Sequence, residues 1–259
     1  MKTLELFGGS CSFSRVAEKR GHEIYTTDSE TFDWIEEETD MYIDQVCDIF
    51  NFDISKMPYK PEVIWSSPPC TSFSIAAVRH HWIDNKTPRS DKAVLGLKIV
   101  ERTIEIIQSI KPKYWFIENP RGLLRKQDIM QDLPRKTVTY CKYGDMRMKP
   151  TDIWTNCEFQ ERPMCSPGNR ECHHEPAPRG SQTGTQGLAN DYERSKIPAE
   201  LFFNDLGVSN LQSFIQGLPF LFQLFLAMLV ADLFQYFIHR LFHQNPFMWR
   251  FHAIHHSIK

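Results

Sequence analysis

The segment that decides the fold lies at the start of the chain, where residues 3–19 read TLELFGGSCSFSRVAEK. Thr3 to Phe7 predict a short buried strand, Gly8-Gly9-Ser10 a tight turn, and Phe13 to Lys19 a helix that stops before Gly21. Small residues between a strand and a helix let the backbone approach a ligand and point helix N–H groups at it. The segment therefore predicts an α/β unit with a ligand near the turn.

Four more strands are predicted along the first 120 residues, at 23–27, 47–49, 63–65 and 114–117. The clearest helix is predicted from Asp91 to Ile110, because apolar residues recur there every three or four positions and Pro112 follows. Strands that alternate with helices favour a parallel sheet with right-handed crossovers. In such sheets ligands bind beyond the carboxyl ends of the strands.

Acidic residues stand at the ends of two predicted strands. Asp28 follows the glycine turn by about twenty residues, a position suited to ribose hydroxyl groups. Asp48 is suited to an adenine amino group. Taken singly, the glycines can be an ordinary turn and each aspartate a solvated surface residue. Taken together, they favour a nucleotide-type ligand.

A cysteine and a glutamate follow two other strands. Residues 66–74 read SSPPCTSFS, and the two prolines would present Cys70 beyond the sheet edge, where a thiolate near cationic groups can act as a nucleophile. A buried and inert cysteine is the alternative. Glu118, at the end of an apolar strand, could hold a proton near neutral pH and act as an acid. A capping or salt-bridged glutamate is the competing interpretation.

These segments, in this order and at this spacing, resemble the successive motifs of bacterial and phage cytosine-C5 DNA methyltransferases. The resemblance covers roughly residues 2–204; residues 143–154 look like the family's later basic motif and residues 194–201 like its closing segment. It implies a Rossmann-like sheet that binds S-adenosylmethionine and acts on double-stranded DNA. It also implies a cytosine flipped out of the duplex and bound covalently to Cys70.

The resemblance assigns roles residue by residue. The implied catalytic residues are Cys70, Glu118, Asn119, Arg147 and Lys149. The implied cofactor-binding residues are Phe7, Gly8, Gly9, Cys11, Ser12, Asp28, Asp48, Ile49 and Pro68. The family usually has glycine where Cys11 and Ser12 stand and arginine where Lys149 stands. A relative that binds cofactor and DNA without turnover is therefore an alternative; restriction, protection and regulation all stay open as biological roles.

Charge and cysteine content add two expectations. The formal net charge is −2, so DNA binding would need a local basic surface, to which Arg79, Arg121, Arg125 and Lys126 could contribute. No cleavable signal peptide opens the chain, which predicts a cytoplasmic protein with reduced cysteines. Three thiols and an imidazole suit zinc, and the candidate ligands are Cys157, Cys165, Cys172 and His173 or His174. Their spacing fits no standard zinc motif, so free thiols are the alternative.

Composition divides the chain into four segments. We expect a catalytic domain at 1–156, a loop-rich insert for zinc binding or DNA recognition at 157–190, a closing segment at 191–205 and a hydrophobic, His-rich helical tail at 206–259. Residues 208–238 could form a membrane or interfacial helix. A buried helical hairpin is the alternative.

The tail resembles the membrane fatty acid hydroxylase and sterol desaturase family, whose histidine clusters bind two irons. The implied ligands are His239, His243, His252, His255 and His256. The family needs a further cluster beyond Lys259, so the set is incomplete and functional iron is not expected. A membrane-attached, iron-dependent lipid oxygenase with an N-terminal passenger is the second interpretation of the chain. No protein partner follows from the sequence.

Overall fold

A seven-stranded sheet forms the centre of the first of two units into which the chain divides, Met1–Leu206 and Gly207–Lys259. The computed structural model describes residues 1–31, 41–75, 78–176, 191–203 and 218–244. The division falls next to the change in composition near Asp205. Each unit is described by itself.

The five predicted strands and two predicted helices occur in the predicted order, and the described residues of the first unit add two strands and three short helices that were not predicted. The strands are β1 Thr3–Leu6, β2 Thr26–Asp28, β3 Gln45–Val46, β4 Val63–Ser66, β5 Tyr114–Pro120, β6 Arg135–Thr139 and β7 Pro150–Thr155. The helices are α1 Ser12–Lys19, α2 Val78–His81, α3 Asp91–Ile110, α4 Asp191–Ser195 and α5 Ala199–Phe203. A 3₁₀ turn, Tyr140–Tyr143, follows β6.

The strand order is β3-β2-β1-β4-β5-β7-β6, and β1 to β5 run parallel. β7 runs antiparallel to both of its neighbours. Leu6 pairs with Ser66, which pairs in turn with Ile117, so the residues after β1, β4 and β5 emerge at one edge of the sheet. The predicted α/β sheet is confirmed.

Alternating side chains of the central strands pack into two apolar layers, one on each face of the sheet. On one face Ile64 and Ile117 pack in a cluster with Val100 and Ile106 of α3. On the other face Trp65 stacks on Phe116, with ring centroids 5.5 Å apart, and contacts residues of α1 and α5. Burying both faces is what a parallel sheet with flanking helices requires.

Two predicted strands have shifted bounds. The segment predicted at 23–27 pairs as a strand only over Thr26–Asp28. The strand predicted at 47–49 instead ends at Val46, because the Asp48 carboxylate accepts a hydrogen bond from Phe50 N at 2.9 Å and caps a 3₁₀ turn that starts at Ile49. Asp48 therefore lies just beyond its strand, at the sheet edge.

The described residues of the second unit, 218–244, contain one long helix, α6 Phe220–Gln244. Its apolar side chains are exposed on all sides instead of forming one buried stripe. Among the residues that the structure describes, the single segment long and apolar enough to cross a membrane is Phe220–Leu241.

Candidate active site

The carboxyl ends of the parallel strands open onto a cleft of about 540 Å³. It brings together the strand-end residues that the sequence predicts as functional. Those that line it are Phe7, Gly9, Asp28, Asp48, Ile49, Pro68, Cys70, Glu118 and Lys149. Residues from β1, β4, β5 and the β6–β7 connection, far apart in the chain, thus face one space.

Cys70 is held at this edge by a rigid turn. Asn119 Nδ2 donates to the Pro68 carbonyl oxygen at 2.9 Å, which fastens the proline turn to the end of β5. The surroundings of the half-buried Cys70 thiol shift its pKa in both directions. Burial raises the pKa, the Lys149 ammonium lowers it and the Glu118 carboxylate raises it. Lys149 is therefore the group that favours the nucleophilic thiolate.

Glu118 is buried, and its Oε1 accepts a hydrogen bond from the Tyr140 hydroxyl at 2.7 Å. Burial first, and then the Glu118 carboxylate, raise the pKa of Tyr140, so the phenol stays a donor. The Lys149 ammonium lies 5.0 Å from the Tyr140 ring centroid. No local sequence pattern marks Tyr140 as a functional residue, and only the structure places it beside Glu118.

Arg147 has protein partners and does not line the cleft. Its guanidinium is 6% exposed, is paired with the Asp145 carboxylate and donates to the carbonyl oxygens of Glu193, Arg194 and Lys196 at 2.8 to 3.1 Å. It ties the turn after β6 to a segment whose Arg194 and Ser195 line the cleft. The contacts of Arg147 seen here are all with the protein, and its catalytic role stays a prediction.

Three of the predicted cofactor-binding residues, Gly8, Cys11 and Ser12, do not line the cleft themselves. Gly8 N donates to the Thr27 carbonyl at 3.0 Å, and a Cβ at Gly8 would lie 3.3 Å from Ile43 Cδ1. Cys11 is fully buried, and its Sγ donates to the Gly8 carbonyl at 3.0 Å. Ser12 Oγ accepts from Ile197 N at 3.1 Å. The Gly8 backbone and the Cys11 and Ser12 side chains therefore stabilise the turn, whereas the neighbouring residues Phe7, Gly9 and Ser10 line the cleft.

The backbone conformation of Cys11 explains why the family usually has glycine at this position. Its φ of 46° lies in the left-handed region, which glycine adopts at little cost. The chain accepts that conformation here with a cysteine, whose thiol bonds back to the turn.

Glu5 supplies a further carboxylate next to the glycine turn, and the sequence did not predict it as a functional residue. Glu5 lines the cleft and accepts hydrogen bonds from Phe13 N at 3.3 Å and Ser14 N at 2.8 Å, at the amino end of α1. Burial raises its pKa, and these bonds lower it. Its position in the alternating strand TLEL could have marked it as a buried acid.

Comparison with known proteins assigns the family. Residues 1–135, just over half of the chain, match the model of the C-5 cytosine-specific DNA methylases. The chain belongs to this family. The resemblance predicted from the ordered motifs is confirmed. Residues 224–259 match the fatty acid hydroxylase model, which confirms the second resemblance as well.

This methylase is similar to two further proteins. It is 28% identical over 179 residues to a protein of Frog virus 3 (isolate Goorha) named "Probable DNA (cytosine-5)-methyltransferase", covering 66% of this chain and 78% of that protein. A solved structure of a candidate DNA modification methyltransferase encoded within an E. coli prophage matches with a TM-score of 0.44 and 12% identity. That match covers 64% of this chain and 52% of that one, so the methylase spans about half of its length.

The methylase has a second group of polar side chains, none of which lines the cleft. Ligand atoms of Cys141, Cys165, Cys172 and His174 all lie within 4.8 Å of one another. Two members of the predicted zinc set lie elsewhere: Cys157 packs against the β-sheet core, and His173 Nε2 donates to the Asp145 carbonyl at 3.0 Å. The cluster thus contains Cys141, just after β6, and not Cys157. Of the two candidate histidines, it contains His174.

The histidines predicted as iron ligands fall mostly outside the described residues. His239 is exposed on α6. The side chain of His243 and the residues His252, His255 and His256 lie outside the described part of the methylase. The same holds for residues 177–190 of the predicted insert and 208–217 of the predicted membrane segment.

Proposed function

We propose that this methylase transfers a methyl group from S-adenosylmethionine to C5 of a flipped-out cytosine in DNA, with Cys70 as the nucleophile. The observation that carries the proposal is that Cys70, Glu118 and the glycine turn line one cleft. A thiol and a carboxyl at the same sheet edge as a nucleotide-type site supply the three parts that C5 methylation requires: nucleophile, acid and donor site.

The residues present fit the proposed methyl donor, which when bound supplies an electrophilic methyl group on a sulfonium. Phe7, with a φ of 63°, and Gly9 bring backbone to the cleft. Burial raises the pKa of Asp28, a sign of the sheltered carboxylate that would accept hydrogen bonds from ribose hydroxyls. Ile49 would cover the adenine, and Asp48 would accept from its amino group.

The chain's own residues account for the chemistry at the base. Cys70 Sγ would bond to C6 of cytosine as Glu118 delivers a proton to N3, which makes C5 nucleophilic. Because Tyr140 donates to Oε1 of Glu118, Oε2 is the oxygen that can carry this proton. After methylation a solvent base removes the C5 proton, and the C5–H electron pair forms the C5–C6 double bond. The C6–S bond breaks and its pair leaves with sulfur as the thiolate, and N3 returns its proton to Glu118.

A local basic surface would hold the DNA. Arg79, Arg121 and Lys126 line one surface depression, and Arg121 directly follows Pro120, which lines the cleft. Arg125, also a predicted contributor, lines the same depression while its guanidinium is bonded to the buried carboxylate of Asp152. The segment before α3 is anchored by Trp82, which is 2% exposed and donates from Nε1 to the Ser72 carbonyl at 2.7 Å.

A covalent trap tests the proposal. DNA that contains 5-fluorocytosine should accumulate a protein–DNA adduct when S-adenosylmethionine is added, since fluorine at C5 cannot leave as a proton. The adduct should disappear in Cys70→Ala and persist in Cys47→Ala, which removes another thiol that lines the cleft. Methyl transfer to C5 by Cys70→Ala, or an adduct lost only in Cys47→Ala, would overturn the assignment of the nucleophile.

We also propose that α6 associates with lipid. Its 25 residues would extend about 37 Å at 1.5 Å per residue, more than the apolar core of a bilayer. Flotation of the full chain with phosphatidylcholine vesicles should carry the protein upward. Replacing Leu229 and Leu233, both exposed on α6, by aspartate should reduce flotation, whereas replacing both by alanine should reduce it less. Equal flotation of all three proteins would contradict the proposal.

A further inference from the structure

Four potential ligands for a soft metal ion converge beside β6. Cys165 Sγ lies 3.6 Å from His174 Nδ1, and all ligand atoms of Cys141, Cys165, Cys172 and His174 lie within 4.8 Å of one another. Zinc bonds of about 2.3 Å to sulfur and 2.0 Å to nitrogen, at tetrahedral angles, separate sulfur from nitrogen by about 3.5 Å and two sulfurs by about 3.8 Å. The observed separations require shifts of no more than about 1 Å to reach this geometry.

The four residues come from two segments that the fold brings together. Cys141 lies in the 3₁₀ turn after β6, and the other three lie in the loop that follows β7. Cys165 N donates to Thr139 Oγ1 at 2.9 Å, which fixes the loop to the end of β6 without any ion. Asn169 Nδ2 lies 3.7 Å from Cys165 Sγ and donates to it, which places this sulfur relative to the loop.

The loop after β7 has little regular structure and few buried apolar residues. Between Asn156 and Pro176 the described residues form turns and bends with no helix or strand. Phe159 and Cys165 are the buried apolar residues of this stretch. A segment with so little core is commonly held by a disulfide or a metal. Each of the seven cysteines is a free thiol.

We propose that Cys141, Cys165, Cys172 and His174 bind one Zn²⁺ ion that fastens the loop after β7 to the turn after β6. Three thiolates and one imidazole form a closed tetrahedral set typical of structural zinc, with no position left for water. The ligand set differs from the one that sequence spacing predicted, because Cys141 is 24 residues before Cys165 and only the fold makes them neighbours.

The site has a consequence for the cleft. Cys141 directly follows Tyr140, whose hydroxyl donates to Glu118. Zinc would hold this turn, so it would act as a positioning element for the Tyr140–Glu118 hydrogen bond. The metal itself would take no part in methyl transfer, and zinc content can be measured without any assay of that reaction.

Metal analysis of the purified full-length chain tests the proposal. We expect about one zinc per chain after dialysis. Cys141→Ser and His174→Asn should each lose most of the zinc. Cys157→Ser and His173→Asn are matched controls, because they change the same residue types next to the site, and they should retain zinc. Zinc absent from the unmodified chain even after incubation with Zn²⁺, or lost equally in the controls, would overturn the proposal.

Two measurements on the unmodified chain keep the test decisive if a variant does not fold. Replacement of zinc by Co²⁺ should give the intense visible absorption of a tetrahedral thiolate site; weak octahedral absorption would contradict the ligand set. Titration of thiols in denaturant with a chelator should find all seven cysteines reactive. A loss of two thiols would indicate a disulfide in the cluster and would overturn the zinc assignment.

Discussion

The cleft of the first unit and the helix α6 of the second differ in the kind of side chain that each one buries or exposes. The cleft contains buried carboxylates with specific partners, as Glu118 has in the Tyr140 hydroxyl and Glu5 in the backbone N–H of Ser14. Helix α6 exposes apolar side chains around its whole circumference. Function in the cleft therefore depends on a few atoms in fixed positions, whereas any function of α6 depends on its overall composition.

The largest expected effect tests the cleft at one atom. Cys70→Ala removes the proposed nucleophile, so kcat for methyl transfer should fall by about 10⁴-fold or more. S-adenosylmethionine binding, measured by calorimetry, should stay within about threefold, since the residues that would hold it are unchanged. A variant that keeps a tenth of the activity would show that the cleft does not depend on this thiol.

A second substitution tests the proposed acid. Glu118→Gln keeps the size of the side chain but cannot transfer a proton, so kcat should fall by about 10²- to 10⁴-fold. Single-turnover rates with saturating DNA measure the chemical step. An unchanged rate would remove Glu118 from the mechanism.

Tyr140→Phe sharpens this prediction, because it removes only the hydrogen bond to Glu118. Loss of one hydrogen bond costs about 0.5 to 1.5 kcal/mol, which corresponds to about 2- to 10-fold in rate. In the Glu118→Gln background the same change should have a much smaller effect, since both residues would act through one proton. Additive losses would indicate separate roles.

A smaller effect is expected from the charge beside the thiol. Burial raises the pKa of Cys70 and Lys149 lowers it, so activity should increase with pH as the thiolate forms. Lys149→Met should move this increase to higher pH and lower the rate near neutral pH. Lys149→Arg retains the positive charge and should keep the original pH profile. A profile unchanged in Lys149→Met would contradict the electrostatic role.

The smallest effect tests the other side of the comparison. Removal of residues 207–259, the second unit, should leave kcat and the affinity for DNA within about twofold, because the cleft is lined by residues of the first unit. Vesicle flotation should disappear in the same protein. A tenfold loss of methyl transfer would show that the tail contributes to the reaction.

Local patterns were sufficient for much of the fold. The alternation of strands and helices, the bounds of α3 and the strand-end positions of Cys70 and Glu118 could be predicted, because periodicity and turn residues act over short stretches of chain. The direction of β7 could not be predicted in this way. It depends on pairing with β5 and β6, where each strand contacts residues distant in sequence.

By itself the sequence determined the family, the α/β sheet and the edge at which its polar residues gather. Only the tertiary structure decided that Tyr140 reaches Glu118, that Arg147 bonds inward to the closing segment and that Cys141 joins the cysteine and histidine cluster. The Tyr140–Glu118 contact depends on the register of β7 with β5 and of β6 with β7. Such register is set by the packing of whole strands, and no short sequence motif records it.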